Sequence, residues 1–160
     1  MSFTFNIESQ KRFEELLPKY PTKQAALLPA LWLAQKQNGH LSLDVQEYVA
    51  EILDLSPVHV HGVVTFYTMF KEKAVGKYHL QICQTLSCGL CGSEKLTQHL
   101  SDKYSLNNGD ITADGKFSLE LVECLASCGT GPTMMLNEAY VESLTTEKLD
   151  QLLEKLAKQE

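Results

Sequence analysis

Five cysteines have the clearest capacity for chemistry in this chain, and all of them lie between positions 83 and 128. Cys83 and Cys88 form a C-x4-C pair, Cys124 and Cys128 form a C-x3-C pair, and Cys91 follows the first pair. An odd number of cysteines in a chain without a secretion signal is atypical of structural disulfides. The pattern therefore predicts binding of a metal or cluster by thiolates, or redox chemistry.

Two pairs of thiolates can hold one [2Fe–2S] cluster, with one pair on each iron. Cys83 and Cys88 would supply the first pair, and Cys124 and Cys128 the second. Glycines accompany both pairs, namely Gly89, Gly92, Gly129 and Gly131. Glycine lets the backbone come close to sulfur, so that N–H groups can donate to it. We therefore expect these four cysteines to hold one [2Fe–2S] cluster that passes single electrons.

Cys91 leaves other ligand sets open. Cys83, Cys88 and Cys91, with Cys124 further along, match the spacing of plant-type ferredoxins in outline. That set leaves Cys128 without a role and belongs to a different, β-rich fold. A structural zinc site in a non-redox interaction module could use Cys88, Cys91, Cys124 and Cys128, and Cys88 with Cys91 also has the spacing of a redox dithiol. If the first assignment holds, Cys91 is a small apolar residue in the first turn of the following helix.

Two predicted strands position the cysteine pairs. Residues 77–83 and 117–123 alternate apolar and polar side chains with the period of a half-buried strand. Each strand leads into one cysteine pair, so loops at the same sheet edge would bring the four thiols together. Other expected elements are helices over residues 93–104 and 146–158 and short strands over 132–136 and 139–142. Together they predict an α/β sandwich of thioredoxin-like size.

The first 82 residues contain no cysteine and have a different pattern. Apolar side chains recur at helical spacing from residue 9 to about residue 70. Ser42 can cap one helix, and Ser56 followed by Pro57 is a typical start of another. We therefore predict two domains, an N-terminal helical bundle over residues 1–74 and an α/β domain over residues 75–160, giving an α+β or α/β protein overall.

Composition narrows the functional classes. The 160 residues are 44% hydrophobic and 21% charged, which is ordinary for a globular protein. A net charge of −6 argues against nucleic-acid binding, which needs a concentrated basic surface. No apolar run is long enough for direct membrane insertion, and the N-terminus has no leader pattern, so we expect a cytoplasmic location. Without a G-x-G-x-x-G motif or a P-loop, hydride transfer is not expected of this chain itself.

Both cysteine motifs also carry a family resemblance. Residues 79–88, HLQICQTLSC, and residues 123–132, ECLASCGTGP, resemble the thioredoxin-like [2Fe–2S] component of respiratory complex I, its E-type subunit. Residues 60–70, VHGVVTFYTMF, resemble the helical-domain signature of the same family. The resemblance covers nearly the whole chain, and the combination of these motifs is far more specific than either cysteine pair alone.

The resemblance implies an electron-transfer subunit of an NADH:quinone oxidoreductase. Its fold would be a helical bundle followed by a thioredoxin-like [2Fe–2S] ferredoxin domain, with Cys83, Cys88, Cys124 and Cys128 as cluster ligands. The bundle would dock onto partner subunits. The implied partners are an F-type flavoprotein subunit, which binds FMN and NADH, and a neighbouring iron–sulfur subunit of the peripheral arm. The cluster would lie beside the flavin and off the main path to quinone.

Two further expectations follow from the same resemblance. The chain would be cytoplasmic and held at the inner membrane only through its complex. The equivalent diaphorase subunit of an NAD-linked hydrogenase or formate dehydrogenase shares every residue discussed above, and it stays open as an alternative.

Overall fold

A computed structural model describes residues 3–159 of the chain. Met1, Ser2 and Glu160, which the predicted domain ranges include, lie outside the described residues. The chain forms two compact units, of which the first ends at Ala74 and the second begins at Val75. Each unit has a hydrophobic core of its own. Within the described part of the chain, no helix is both long enough and apolar enough to cross a membrane.

The first unit is helical. Its described α-helices are α1 (Ile7–Leu16), α2 (Leu27–Asn38), α3 (Leu43–Leu53) and α4 (Pro57–Phe66). Asn6 is the N-cap residue of α1, and its side chain accepts a hydrogen bond of 2.8 Å from the Ser9 N–H. Pro57 occupies the first position of α4, where its missing N–H costs no hydrogen bond. The helices bury one stripe each, and Leu31, Leu53 and Val60 are fully enclosed in the resulting core.

The second unit contains a mixed four-stranded sheet with the strand order β2-β1-β3-β4. The strands are β1 (Tyr78–Cys83), β2 (Phe117–Val122), β3 (Met134–Leu136) and β4 (Ala139–Val141). The helices of this unit are α5 (Leu86–Leu90), α6 (Ser93–Tyr104) and α7 (Thr146–Ala157). Helices that precede a second unit with helices and a mixed sheet confirm the fold class predicted from the sequence.

The sheet joins parallel and antiparallel pairing. β1 pairs with β2 in parallel and with β3 in the antiparallel sense, and β3 pairs with β4 in the antiparallel sense. A parallel connection needs a long crossover, and the segment that contains α5 and α6 provides it. β3 begins at Met134 rather than at residue 132 as predicted, since Pro132 has no N–H to give to a neighbouring strand.

Two differences from the sequence-based expectation lie near the cysteines. α5 was not predicted, because a five-residue helix with a glycine in it is too short to show a helical period. Cys91 was expected in the first turn of the following helix, and this prediction is wrong. Cys91 instead directly follows α5 as its C-cap residue, and Gly92, with a φ of 100°, separates it from α6. Its side chain is also exposed rather than packed as a small apolar residue.

A polar cluster ties α6 to α7. Asp150 on α7 accepts a hydrogen bond of 2.7 Å from Lys103 Nζ and another of 2.7 Å from the Tyr104 hydroxyl. His99 Nε2 lies 2.8 Å from the same carboxylate. The hydrogen bond from Lys103, followed by those from His99 and Tyr104, holds the pKa of Asp150 well below its usual range. Asp150 is therefore charged in the folded protein over a wider pH range than in the unfolded chain.

Replacing Asp150 by Asn should lower the free energy of unfolding by about 1–2 kcal/mol near neutral pH, because hydrogen bonds to a charged group are lost. A carboxyl group whose pKa is lower in the folded protein than in the unfolded chain stabilises the folded state. The stabilisation is complete above the pKa of the unfolded chain, about 3.9 for Asp, and it is lost as the pH falls through the pKa of the folded protein. Urea unfolding of both proteins should therefore show a smaller difference in strong acid than near neutral pH.

Asp102→Asn is the matched control for this change. Asp102 lies on the exposed side of α6, where it accepts a hydrogen bond of 2.8 Å from Gln98 Nε2. Its replacement should change the unfolding free energy by no more than about 0.5 kcal/mol. Equal effects of the two substitutions near neutral pH would show that Asp150 does not anchor α7 to α6.

Candidate metal centre

The carboxyl ends of β1 and β2 bring the two cysteine pairs to one edge of the sheet. Cys83 is the last residue of β1 and lies opposite Val122, the last residue of β2. Because these strands run in parallel, the segments that leave them start side by side. Cys88 follows on α5, and Cys128 begins a 3-10 turn that ends at Thr130. The cysteines of the described chain are free rather than joined in disulfides.

Cys83 lies in an environment that favours its thiolate. Burial raises the pKa of the Cys83 thiol, but hydrogen bonds from the backbone of Thr85 and Leu125, then from the Cys88 and Thr85 side chains, hold it below its usual value. Leu125 belongs to the loop of the second pair. A backbone group of that loop is therefore bonded to the sulfur of the first pair.

Cys88 lies beside other thiols and is almost fully enclosed. Burial is the main cause that raises the pKa of the Cys88 thiol, and the nearby Cys83 and Cys128 raise this pKa further. A hydrogen bond with the Thr133 backbone acts in the opposite direction. Cys88 is therefore close enough to a cysteine of the second pair for their charges to interact. Neighbouring thiolates repel each other, and positive charge from bound metal removes that cost. The donor set thus fits a group that contains iron.

The second pair lies at the surface. Cys124 and Cys128 are both exposed, in contrast to Cys83 and Cys88. The Ala126 N–H donates a hydrogen bond of 3.3 Å to Cys124 Sγ. Ala126 has a φ of 56°, in the left-handed region that costs energy for a residue with a side chain. The loop therefore holds an unfavourable backbone conformation in which an N–H points at a cysteine sulfur.

Gly131 shows how closely the backbone of the second loop approaches the first pair. A Cβ atom built on Gly131 would lie 3.4 Å from Cys88 Sγ and 3.7 Å from the Cys91 Cβ. A side chain here would occupy the space next to the sulfur. A Cβ atom at Gly131 would thus be in van der Waals contact with the sulfur, whereas a Cβ atom at Gly129 would meet nothing within 4 Å.

The zinc alternative needs four thiolates gathered around a single ion. Among residues 3–159, no group of three or more His, Cys, Asp or Glu side chains is placed to hold one metal ion. Cys88 lies near Cys83 of its own pair, and it is close enough to Cys128 of the other pair for their charges to interact. Two pairs near each other fit a cluster with two irons, each held by one pair.

Two residues that the sequence did not single out contact the second loop. The Tyr140 hydroxyl donates a hydrogen bond of 3.0 Å to the backbone oxygen of Leu125. The Glu142 carboxylate accepts hydrogen bonds from the Ser127 and Thr130 hydroxyls, and these bonds hold the pKa of Glu142 below its usual value. The period-2 pattern of the predicted strand over residues 139–142 could have indicated that these two side chains share a face.

A buried polar group between β1 and β2 has a different role. His79 Nδ1 lies 2.8 Å from Ser118 Oγ, and His79 Nε2 lies 2.9 Å from Glu120 Oε2. These three residue types also occur in hydrolase triads. Ser118 is buried, however, and its hydroxyl oxygen accepts a hydrogen bond from the Gly76 N–H. This group joins the parallel strands and does not present a nucleophile to a substrate.

Comparison with known proteins gives consistent matches over most of the chain. The family model described as thioredoxin-like [2Fe–2S] ferredoxin matches residues 13–157. The second E-type subunit of the NADH-quinone oxidoreductase of Rhizobium meliloti (strain 1021) is 42% identical over 145 residues, which cover 91% of this chain and 86% of that protein. NADH-quinone oxidoreductase subunit 2 of Thermus thermophilus is 40% identical over 149 residues, covering 91% and 82%.

A solved structure of an NAD+-reducing [NiFe]-hydrogenase in the air-oxidized state has a similar fold. The match has a TM-score of 0.72 and 22% sequence identity, and it covers 84% of this chain but 23% of the hydrogenase chain. At this level of identity the likeness shows the fold alone.

Serine substitutions distinguish the competing ligand sets. Cys128→Ser should lose most of the bound iron and sulfide, because one iron would lose a thiolate ligand. Cys91→Ser should retain them and serves as the matched control, since Cys91 is also exposed. Iron and acid-labile sulfide in the purified variants, together with visible absorption, measure the outcome. Loss in the Cys91 variant with retention in the Cys128 variant would contradict the assignment.

Proposed function

This chain belongs to the thioredoxin-like [2Fe–2S] ferredoxins and, among them, to the E-type subunits of NADH-quinone oxidoreductases. We propose that it transfers electrons within such an oxidoreductase through one [2Fe–2S] cluster. Cys83 and Cys88 would bind one iron, and Cys124 and Cys128 the other. The observation that carries this proposal is the parallel pairing of β1 with β2, which starts both cysteine-bearing segments at one sheet edge. When bound, such a cluster accepts and returns one electron at a time.

The backbone of this chain would stabilise the added negative charge. N–H groups bonded to cluster sulfurs favour the more negative state, and their number helps to set the reduction potential. The Ala126 N–H already donates to Cys124, and the backbone of Thr85 and Leu125 bonds to Cys83. These donors belong to the loops themselves, so they need no rearrangement when the charge changes.

The two cysteine pairs differ in burial, so one side of the site is enclosed and the other is exposed. Cys83 and Cys88 are 3% exposed, whereas Cys124 and Cys128 lie at the surface. On α5, Leu86 lies between Cys83 and Cys88 in the sequence and Leu90 lies two residues after Cys88, and both leucines are strongly exposed. An exposed apolar surface beside an electron carrier is typical of a place where a partner docks. We infer that electrons enter and leave on this side, where a partner's redox group can come near.

The partner in this proposal is the flavoprotein subunit. The present sequence has no nucleotide-binding motif, so NADH and FMN would be bound by the partner, and a neighbouring iron–sulfur subunit would complete the peripheral arm. We also propose that the helical unit, residues 1–74, is a docking domain. Phe66 on α4 is 76% exposed, and its ring centroid lies 5.0 Å from that of Tyr67. Exposed aromatic side chains of this kind are common at interfaces.

Co-expression with the flavoprotein subunit from the same genome tests this function. The two chains should purify together, and anaerobic addition of NADH should produce an S = 1/2 EPR signal of about one spin per chain. NADH should have no effect on the present chain alone, because it lacks a hydride acceptor. Reduction by dithionite but never by NADH with the flavoprotein present would contradict the proposal.

Purification of the native complex that contains this chain separates the two parent complexes. Isolation from membranes together with NADH-dependent quinone reduction supports the quinone oxidoreductase, which the sequence relatives favour. Isolation with a nickel-, iron- or molybdenum-containing hydrogenase or dehydrogenase subunit would instead assign the chain to a diaphorase.

A further inference from the structure

The edge strand β4 lies beside the loop that carries the second cysteine pair. Side chains two residues apart on an extended strand point to the same side. Tyr140 on β4 and Glu142, the residue directly after β4, have this spacing, and both contact the segment from Cys124 to Thr130. Val141, between them, packs against the hydrophobic core of the unit. Hence Val141 contributes to the core, whereas Tyr140 and Glu142 contact the loop.

Tyr140 fixes the residue directly after Cys124. Its hydroxyl donates to the Leu125 backbone oxygen over 3.0 Å. The same segment also meets β1, because Cys83 Sγ at the end of β1 donates a hydrogen bond of 3.6 Å to the Glu123 backbone oxygen. The chain on either side of Cys124 is therefore bonded to β1 through Glu123 and to β4 through Leu125. Loss of the Tyr140 hydroxyl would leave the β4 side of this arrangement free to move.

Glu142 fixes the turn that contains Cys128. Its Oε1 accepts a hydrogen bond of 2.6 Å from Thr130 Oγ1 and another from Ser127 Oγ. Ser127 and Thr130 stand on either side of Cys128 and Gly129 in the chain. The next residue, Ser143, donates its N–H to the Thr130 backbone oxygen over 2.7 Å. The Ser143 hydroxyl donates to the same oxygen over 3.5 Å, so four hydrogen bonds attach this turn to the residues that follow β4.

The charge of Glu142 is not cancelled by the groups it contacts. Both hydroxyl partners are neutral, and they favour the ionised carboxylate. Lys148 is a nearby cation. Its Nζ donates a hydrogen bond of 2.8 Å to the backbone oxygen of Ser143, the residue after Glu142. A fixed negative charge close to a redox group opposes the addition of an electron. Its effect is moderate because Glu142 is exposed and solvent screens it.

On the basis of the function proposed above, we propose that Tyr140 and Glu142 are positioning residues of the cluster site. They hold the loop that carries Cys124 and Cys128, and the charge of Glu142 disfavours reduction of the cluster. The edge strand β4 and the residue after it, which supply no cysteine, thus influence both the retention and the potential of the bound cluster.

Three substitutions in the full-length, cluster-containing protein test this assignment. Glu142→Gln removes the charge but keeps an oxygen that can accept from the hydroxyls, and Tyr140→Phe removes only the hydroxyl. Glu138→Gln is the matched control, because it deletes an equal charge from the exposed turn between β3 and β4. Redox titration monitored by EPR gives the potential, and transfer of iron to a chelator gives the rate of cluster loss.

The two positioning variants should have different signatures. Glu142→Gln should favour reduction by about two- to fivefold in the equilibrium constant, the range expected for one exposed charge, while Glu138→Gln leaves it unchanged. Tyr140→Phe should lose iron about two- to tenfold faster, as expected for one missing hydrogen bond. A Glu142→Gln protein that folds normally but cannot retain its cluster also supports the positioning role.

Other outcomes would overturn the assignment. A potential in Glu142→Gln that equals that of Glu138→Gln would contradict the electrostatic effect, and wild-type chelation rates in Tyr140→Phe would contradict the clamp on the loop. In both cases the cluster would be present, so the function proposed above would stand. A wild-type protein that contains no [2Fe–2S] cluster would overturn that function and this assignment together.

Discussion

Parallel pairing of β1 with β2 is the constraint on which the rest of the site depends. An antiparallel partner would have placed the segments after Cys83 and Val122 at opposite edges of the sheet. Parallel strands place them together but require a long crossover, which α5 and α6 supply. The buried contact of His79 with Ser118 joins these strands, and the antiparallel β3 then brings Gly131 back toward Cys88.

The chemistry of the site follows from this arrangement. One pair of thiols is enclosed, the other pair is exposed, and backbone groups of the loops are bonded to sulfurs of both. Such a site suits electron transfer, because a carrier needs a fixed environment and one accessible side. Hydrogen bonds from Tyr140, on β4, and to Glu142, directly after it, likewise hold the more exposed loop in a fixed position.

How far the sequence predicted this structure depended on the length of each element. The strands predicted over residues 77–83 and 117–123 and the helix predicted over residues 93–104 correspond to β1, β2 and α6. Each is long enough to repeat its hydrophobic pattern several times in the sequence. The five-residue α5 shows no period, and the wrong placement of Cys91 followed from missing it. β3 and β4 have three residues each, so their order in the sheet depends on tertiary packing rather than on local pattern. The hydrogen bonds that Glu142 accepts from Thr130 and Ser127, 12 and 15 positions earlier in the chain, have no local signature in the sequence.

The proposed function requires four of the five cysteines to hold a binuclear iron–sulfur cluster. Metal and acid-labile sulfide analysis of the anaerobically purified protein, with an EPR spectrum after reduction by dithionite, shows whether they do. We expect about two irons and two sulfides per chain and an S = 1/2 signal of about one spin per chain. A colourless protein that contains zinc and no acid-labile sulfide would contradict it.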